Sequence, residues 1–327
     1  MKTFNKQLLL GLTGACLVFG YSSLLATETP RQSLSTSKDE KSLQKEADKD
    51  NVNQYLFKKK RDSYNFLEAE LNKAIKDTEF TDDKTKVIKN LIVLGKDNKV
   101  NNMNENTKEQ KILMVSWIDL TKDYNKHWGK RLKTHEPYKI NYTTWLTVPD
   151  QVKDFCNKCK GIGMKIDDKD IDGKDKGKMM LSLRLQQYLG LLLTPGDKKT
   201  HFVEIWVKAK DIERPCSNSD ISSSSCKNFA HNSLDKNSFL YKQFNKSHYL
   251  NEKKDNKLYP FTGLGYTYDW GNPKTHVGAT EFIIEPKESG TWVDVSSIKS
   301  TEEYCEKNSL LTTLSQKSRG LSLVEDL

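Results

Sequence analysis

The chain is 327 residues long, 35% hydrophobic and 30% charged, with 53 basic against 44 acidic side chains and a formal net charge of +9. That length allows one large core or two smaller ones. The surplus charge is spread among many acidic residues, with no arginine-rich stripe and no recognisable nucleic-acid motif, so sequence-specific nucleic-acid binding is not expected. No motif names a cofactor.

The first elements predict export. Lys2 and Lys6 precede an apolar run from Leu8 to Leu25, and Ala26 stands before a polar stretch. A basic end, a short apolar core and a small residue at the cut describe a secretory signal over 1–26. The run is interrupted by Thr13, Ser22, Ser23 and three glycines, Gly11, Gly14 and Gly20. A spanning helix needs roughly 20 mostly apolar residues, so cleavage is preferred to an uncleaved anchor. The alternative is a lipoprotein acylated at Cys16, which the apolar Leu17–Tyr21 that follows argues against. After cleavage no remaining stretch is apolar enough for a transmembrane helix, and the expected location is secreted or periplasmic. Loss of Lys2 and Lys6 lowers the formal charge to +7. The remaining excess of lysine fits a solvated surface, and also an anionic envelope component or polysaccharide as partner.

Residues 27–60 are polar, charged and almost free of large apolar side chains, which predicts a disordered tether. From Arg61 the pattern changes. Tyr64, Leu67, Leu71 and Ile75 recur at helical spacing, and Thr81-Asp82 is placed to cap a second helix carrying Val87, Ile88, Leu91 and Ile92 up to Gly95. Together they predict a small helical hairpin over 61–95. Residues 96–110 read as a polar loop.

An α+β domain is expected over 111–310. Ile112–Ile118 and Thr143–Val148 read as strands, and Pro149 opens a helix to Cys159, because its missing N–H lacks a partner in a first turn anyway. Met180–Leu193 predicts a helix with Leu181, Leu185, Tyr188, Leu189 and Leu192 on one stripe. His201–Val207 alternates, with Val203, Ile205 and Val207 on one face and Phe202, Glu204 and Trp206 on the other. Ser217–Asn228 is a loop. Leu264–Trp270, Thr280–Ile284 and Thr291–Val295 predict a closing antiparallel β-meander, and 311–327 a flexible tail.

Five cysteines remain after cleavage, and an odd number in an exported chain leaves one outside internal pairs. Cys216 and Cys226 bracket a short loop and are expected to pair. Cys305 is expected to close onto Cys156 or Cys159, tying a loop of about 150 residues and contributing roughly 2–4 kcal/mol. Redox chemistry at Cys156-Asn157-Lys158-Cys159 is disfavoured, because the pair ends a helix, where the dipole opposes thiolate.

Three constellations offer chemistry. Asp168, Asp170, Asp172 and Gly173 match the opening of an EF-hand calcium loop, but position twelve is Met179 instead of a bidentate glutamate. Asp269, His276 and Glu281 lie within thirteen residues, and a carboxylate orienting a histidine is the minimum of a general base. Tyr266, Tyr268 and Trp270 share one strand face, with core preferred to a stacking platform, and Arg214 is a candidate cation nearby. No nucleophile motif or phosphate loop is present. The first expectation is a non-enzymatic binding or envelope-associated protein with Tyr266–Trp270 exposed. The alternative is a secreted hydrolase using Asp269, His276 and Glu281.

Overall fold

The computed structural model describes residues 51–79, 87–95, 110–120, 137–159, 173–195, 198–227, 235–248, 258–285 and 287–306. The expected signal with Cys16, the calcium-loop aspartates Asp168, Asp170 and Asp172, and the tail 311–327 lie outside the described residues.

The chain opens on two helices, α1 (Val52–Lys59) and α2 (Arg61–Thr78), joined at Lys60. The tether expected over 27–60 is therefore corrected over its last ten residues. The Asn51 side chain accepts the N–H of Gln54 and caps α1, while Val52 and Leu56 are buried with Tyr64, Leu67, Leu71 and Ile75 of α2. The N-terminal helical hairpin is made by these two helices. The segment predicted as its second helix is extended instead: β1 (Val87–Ile88) pairs with β6 (Cys226–Lys227), and the N–H groups of Leu91 and Leu94 donate to Ser224 and Ile221. Val87, Ile88, Ile92 and Val93 are β-branched and lose rotamer freedom in a helix, and here the disulfide loop supplies main-chain partners.

A four-stranded antiparallel sheet forms the centre, in the order β2 (Lys111–Ile118), β5 (His201–Lys208), β10 (Thr291–Ser300), β3 (Tyr138–Ile140). Its inner face carries Ile112, Met114, Val203, Ile205, Val207, Ile140 and Val293 into the main core. The remaining strands are antiparallel too and are distributed over small sheets. β4 (Thr144–Leu146) pairs with β9 (Phe282–Ile284), and β7 (Tyr266–Tyr268) with β8 (Val277–Thr280). A single bridge between Val115 and Thr147 links β4 to the edge of the central sheet. The fold is thus α+β.

Three helices cover half of the sheet's outer face: α3 (Pro149–Cys159), α4 (Gly173–Tyr188) and α6 (Thr301–Cys305). Their Val152, Cys156, Leu185 and Tyr304 pack on Val115, Trp117 and Phe202. The Cys156–Cys305 disulfide joins α3 to α6, and Cys216–Cys226 closes the short loop beside β1. Cys159 keeps its thiol, so Cys156 and Cys159 do not form a dithiol pair. A further helix, α5 (Phe239–His248), packs Leu240 and Phe244 with Phe261 and Trp145.

α4 ends five residues before the predicted boundary. Gly190 takes φ +63, its N–H donates to Gln187 and that of Leu191 to Gln186, which is the hydrogen-bond pattern of a Schellman stop. The chain beyond it receives the hairpin: the Tyr64 hydroxyl and the Asn53 and Asn51 amides donate to the carbonyls of Leu193, Thr194 and Pro195. Gly190→Ala would place a Cβ in the left-handed region and 3.3 Å from the Tyr268 nitrogen. It is expected to cost about 1–2 kcal/mol in urea unfolding, and an unchanged midpoint would show that this stop does not constrain the fold.

Candidate functional site

The β7–β8 hairpin holds the residues nominated for catalysis, but it does not assemble them into a general base. Asp269 is buried, and both its oxygens accept from Arg184 of α4, at 2.7 and 2.6 Å. The guanidinium also lies 5.0 Å from the Phe155 ring centre. His276 sits in the turn at φ +50 and stacks on Tyr268 at 4.8 Å. Its Nδ1 is 3.4 Å from the main-chain oxygen of Asp269, while the Asp269 carboxylate faces Arg184. Glu281 lies beyond the far end of β8, about 16 Å along the extended chain from His276, where its N–H donates to Gly265. Burial pushes the half-buried Glu281 carboxyl up to about 8.

Of the two readings of the aromatic row, the preferred one, core, is what the structure shows. Tyr266, Tyr268 and Trp270 are all buried, Tyr266 among Leu91, Leu264 and the Cys216–Cys226 pair, the other two beneath the helical hairpin. The Tyr268 hydroxyl donates to Asp77 at 2.7 Å and the Trp270 indole N–H to Leu191 at 3.1 Å. Arg214 is 1% exposed and serves as a clamp. Its Nη2 donates to Ile92, Ser223 and Ile221, and its guanidinium lies over Phe282. Burial lowers its pKa to about 10 despite nearby Asp220. Gly265 makes room for it, since a Cβ there would stand 2.8 Å from the arginine's Cγ and Cδ.

The half of the central sheet's outer face with no described helix over it presents a different arrangement. Register places Lys111 opposite Lys208, Leu113 opposite Trp206, Trp206 opposite Asp294 and Lys139 opposite Trp292. Strand alternation puts all seven side chains on the outer face. Trp292 is 52% exposed, the largest value among the exposed large hydrophobic residues described, and the Lys139 ammonium stands 5.8 Å from its ring centre. Trp206 is half-buried. The Lys111 ammonium reaches over β5 to pair with Asp294 on β10. Three lysines, one aspartate and two indole rings thus share this half of the sheet. The alternation of His201–Val207 placed Trp206 on this side; its neighbours come from distant segments and gave no local signal.

No cluster of three or more histidine, cysteine, aspartate or glutamate side chains suited to a metal occurs among the described residues. No protein family, curated protein or solved structure matches the chain.

Two outcomes separate structural from chemical roles in the hairpin. Asp269→Ala leaves a buried guanidinium without its partner and is expected to cost about 3–5 kcal/mol. His276→Asn, which suits positive φ, is expected to change stability by less than about 1 kcal/mol. Equal losses in urea titration would show that His276 shares the structural role of Asp269.

For Glu281 the sign follows from its raised pKa. The unfolded carboxyl loses its proton near pH 4.5 and the folded one near 8. The folded state holds more protons between those values, so stability falls as pH rises through that window. Glu281→Gln cannot ionise. It is expected to match the parent at pH 4 and to exceed it at pH 8 by about 1–2 kcal/mol, after allowance for partial exposure. Identical pH profiles of the two unfolding free energies would refute this.

Proposed function

We propose that the chain is an exported, non-enzymatic binding protein that works at the cell envelope, in the periplasm or outside the cell, and recognises an anionic component there. The observation that carries this reading is the half-face of the central sheet with no described helix over it, where the exposed Trp292 lies beside Lys139 and near Trp206, Lys111 and Lys208. Two further features support export: the signal-like start and two disulfides of the kind that persist in oxidising compartments.

Lysines around an aromatic surface attract anions at long range and exclude little water when unoccupied. The disulfide-intact protein is expected to be retained on an immobilised sulfated polyanion and eluted by salt. Replacing Lys111, Lys139 and Lys208 together by alanine should lower the eluting salt concentration markedly. Replacing the exposed helical lysines Lys58, Lys59 and Lys76 should lower it much less. Equal shifts would mean that net charge alone holds the polymer, and the half-face would lose its assignment.

One observation favours the second reading, a hydrolase. A carboxyl that keeps its proton to about pH 8, as Glu281 does, suits a general acid. Release of reducing ends from polysaccharide by the parent but not by Glu281→Gln would replace the binding reading with this one. The expected result is no release by either.

A further inference from the structure

We infer that Cys216–Cys226 is a redox latch. Closed, it locks the extended segment 87–95 and the buried Arg214 into one unit. Opened by a dithiol, it releases that unit while the central sheet stays folded. The inference is separate from the ligand reading above.

Three observations carry it. The first is where the extended segment finds partners. β1 pairs with β6, which begins at Cys226 itself, and the N–H groups of Leu91 and Leu94 donate to Ser224 and Ile221. These partners lie in or next to the loop that the disulfide closes. The Ile92 N–H is held separately, by the Thr280 hydroxyl at 3.1 Å. Asn90 takes φ +66 within the segment, a conformation that costs free energy and that outside contacts must hold.

The second is Arg214. Its guanidinium donates to the Ile92 carbonyl on the segment at 2.8 Å, and to Ser223 and Ile221 on the loop at 3.0 and 3.4 Å. One buried cation thus ties segment to loop. Neither can leave without stripping acceptors from a donor that water does not reach, so the two must come away together.

The third is how little else orders the loop. Between the two cysteines stand six serines, Asn218, Asp220 and a single apolar side chain, Ile221, which is only partly buried. Such a composition cannot offset its ordering entropy by burial, so the covalent link is what holds it. Cys216 is fixed to the body of the protein by main-chain pairing with Leu264, whereas Cys226 rides on β6, whose partner is β1. Opening the disulfide detaches β6 from that anchor. β2, β5 and β10 draw their ladders from one another and keep them.

Opening needs a dithiol as reductant. One thiolate of the dithiol attacks a sulfur of the disulfide; the other sulfur leaves as a thiolate and takes up a proton. The dithiol's second thiolate then displaces the first cysteine from the mixed disulfide. The chain gains two thiols and the dithiol becomes a disulfide. Cys216 and Cys226 are both buried, so attack waits on local opening of the loop. An exported chain passes from a reducing to an oxidising compartment. On the export reading above, the unit therefore locks only after passage.

The test adds dithiothreitol stepwise to the disulfide-intact mature chain and reads thiol alkylation and amide hydrogen exchange by mass spectrometry. Cys216 and Cys226 are expected to take label at dithiol levels that leave Cys156–Cys305 closed, because α3, α4 and α6 cover that second disulfide with Val152, Leu185 and Tyr304. At that stage peptides covering 87–95 should exchange roughly a hundredfold faster or more, and those covering 201–208 should not change. The Cys216→Ser/Cys226→Ser chain should show the same split with no dithiol. Unchanged exchange over 87–95 once Cys216 and Cys226 are labelled would show that the loop holds itself, and overturns the latch. Loss of protection over 87–95 and 201–208 together would make the disulfide a staple of the whole domain, and overturns it too. So does labelling of Cys156 and Cys305 before Cys216 and Cys226. Should the double variant fail to fold, the dithiol series on the native chain decides. None of these results touches the binding reading, which the lysine variants test.

Discussion

Glu204 is a charged side chain buried on the outer face of the central strand, and satisfying it fixes how the protein is built. Lys153 of α3, Tyr304 of α6 and Ser297 of β10 all donate to its carboxylate, at 2.8, 2.9 and 2.9 Å. Burial alone would raise its pKa; these partners more than offset that and hold it below the ordinary value. A carboxylate removed from water without them would cost several kcal/mol. The helices must therefore sit where they can reach it, and the Cys156–Cys305 disulfide holds α3 and α6 together just above. Phe202, stacked between Trp117 and Tyr304, fills the space on one side. The helical cover extends from Phe202 to Glu204 and stops there. One strand pleat further on, Trp206 has no helix above it among the described residues, and the aromatic and basic half-face begins.

How much of this could be read beforehand depended on whether the deciding interactions were local. α3 was legible to within about a residue because proline marks its first turn. β2 and β5 were legible because their apolar runs and alternation are written in consecutive residues. The end of α4 was written too: leucines continue at helical spacing to Leu192, but Gly190 lies between them, and a left-handed residue ends the ladder whatever follows. α1 also had a local mark in Asn51, its cap. The surrounding lysines and low apolar content argued for disorder, yet Val52, Leu56 and the Asn51 and Asn53 amides anchor the helix to Thr194, Pro195 and α2. Residues 87–95 misled for the opposite reason. Their spacing suits a helix, and only the partner strand at the end of the disulfide loop, about 140 residues away, decides that they are extended.

The chemistry-bearing residues show the same division. Asp269 and His276 are near each other because a hairpin joins them, as the sequence implied. What proximity along the chain could not show is direction: the Asp269 carboxylate turns towards Arg184 of α4, 85 positions earlier, and the histidine stacks on Tyr268 with its Nδ1 near the Asp269 main-chain oxygen. Tyr266, Tyr268 and Trp270 were legible as a row with core the preferred reading, as burial bears out; what the sequence could not show is that the helical hairpin covers two of them. The outer half-face was the least legible part. Its lysines and tryptophans come from positions 111, 139, 206, 208 and 292, and sheet register alone brings them together.

That origin bears on what the face can do. Residues carried on paired strands are fixed by the ladder hydrogen bonds of four segments, so a ligand that meets them does not have to order a loop first. Association always loses translational and rotational freedom, and a pre-ordered surface leaves only a few lysine side chains still to be fixed. For the binding role proposed above, the same rigidity would set selectivity by spacing. The two indoles keep their separation because strand register fixes it, and Lys139 keeps its place at the rim of Trp292. A diffuse anion would gain from the charge but not from the rings, so charge alone would not select among ligands.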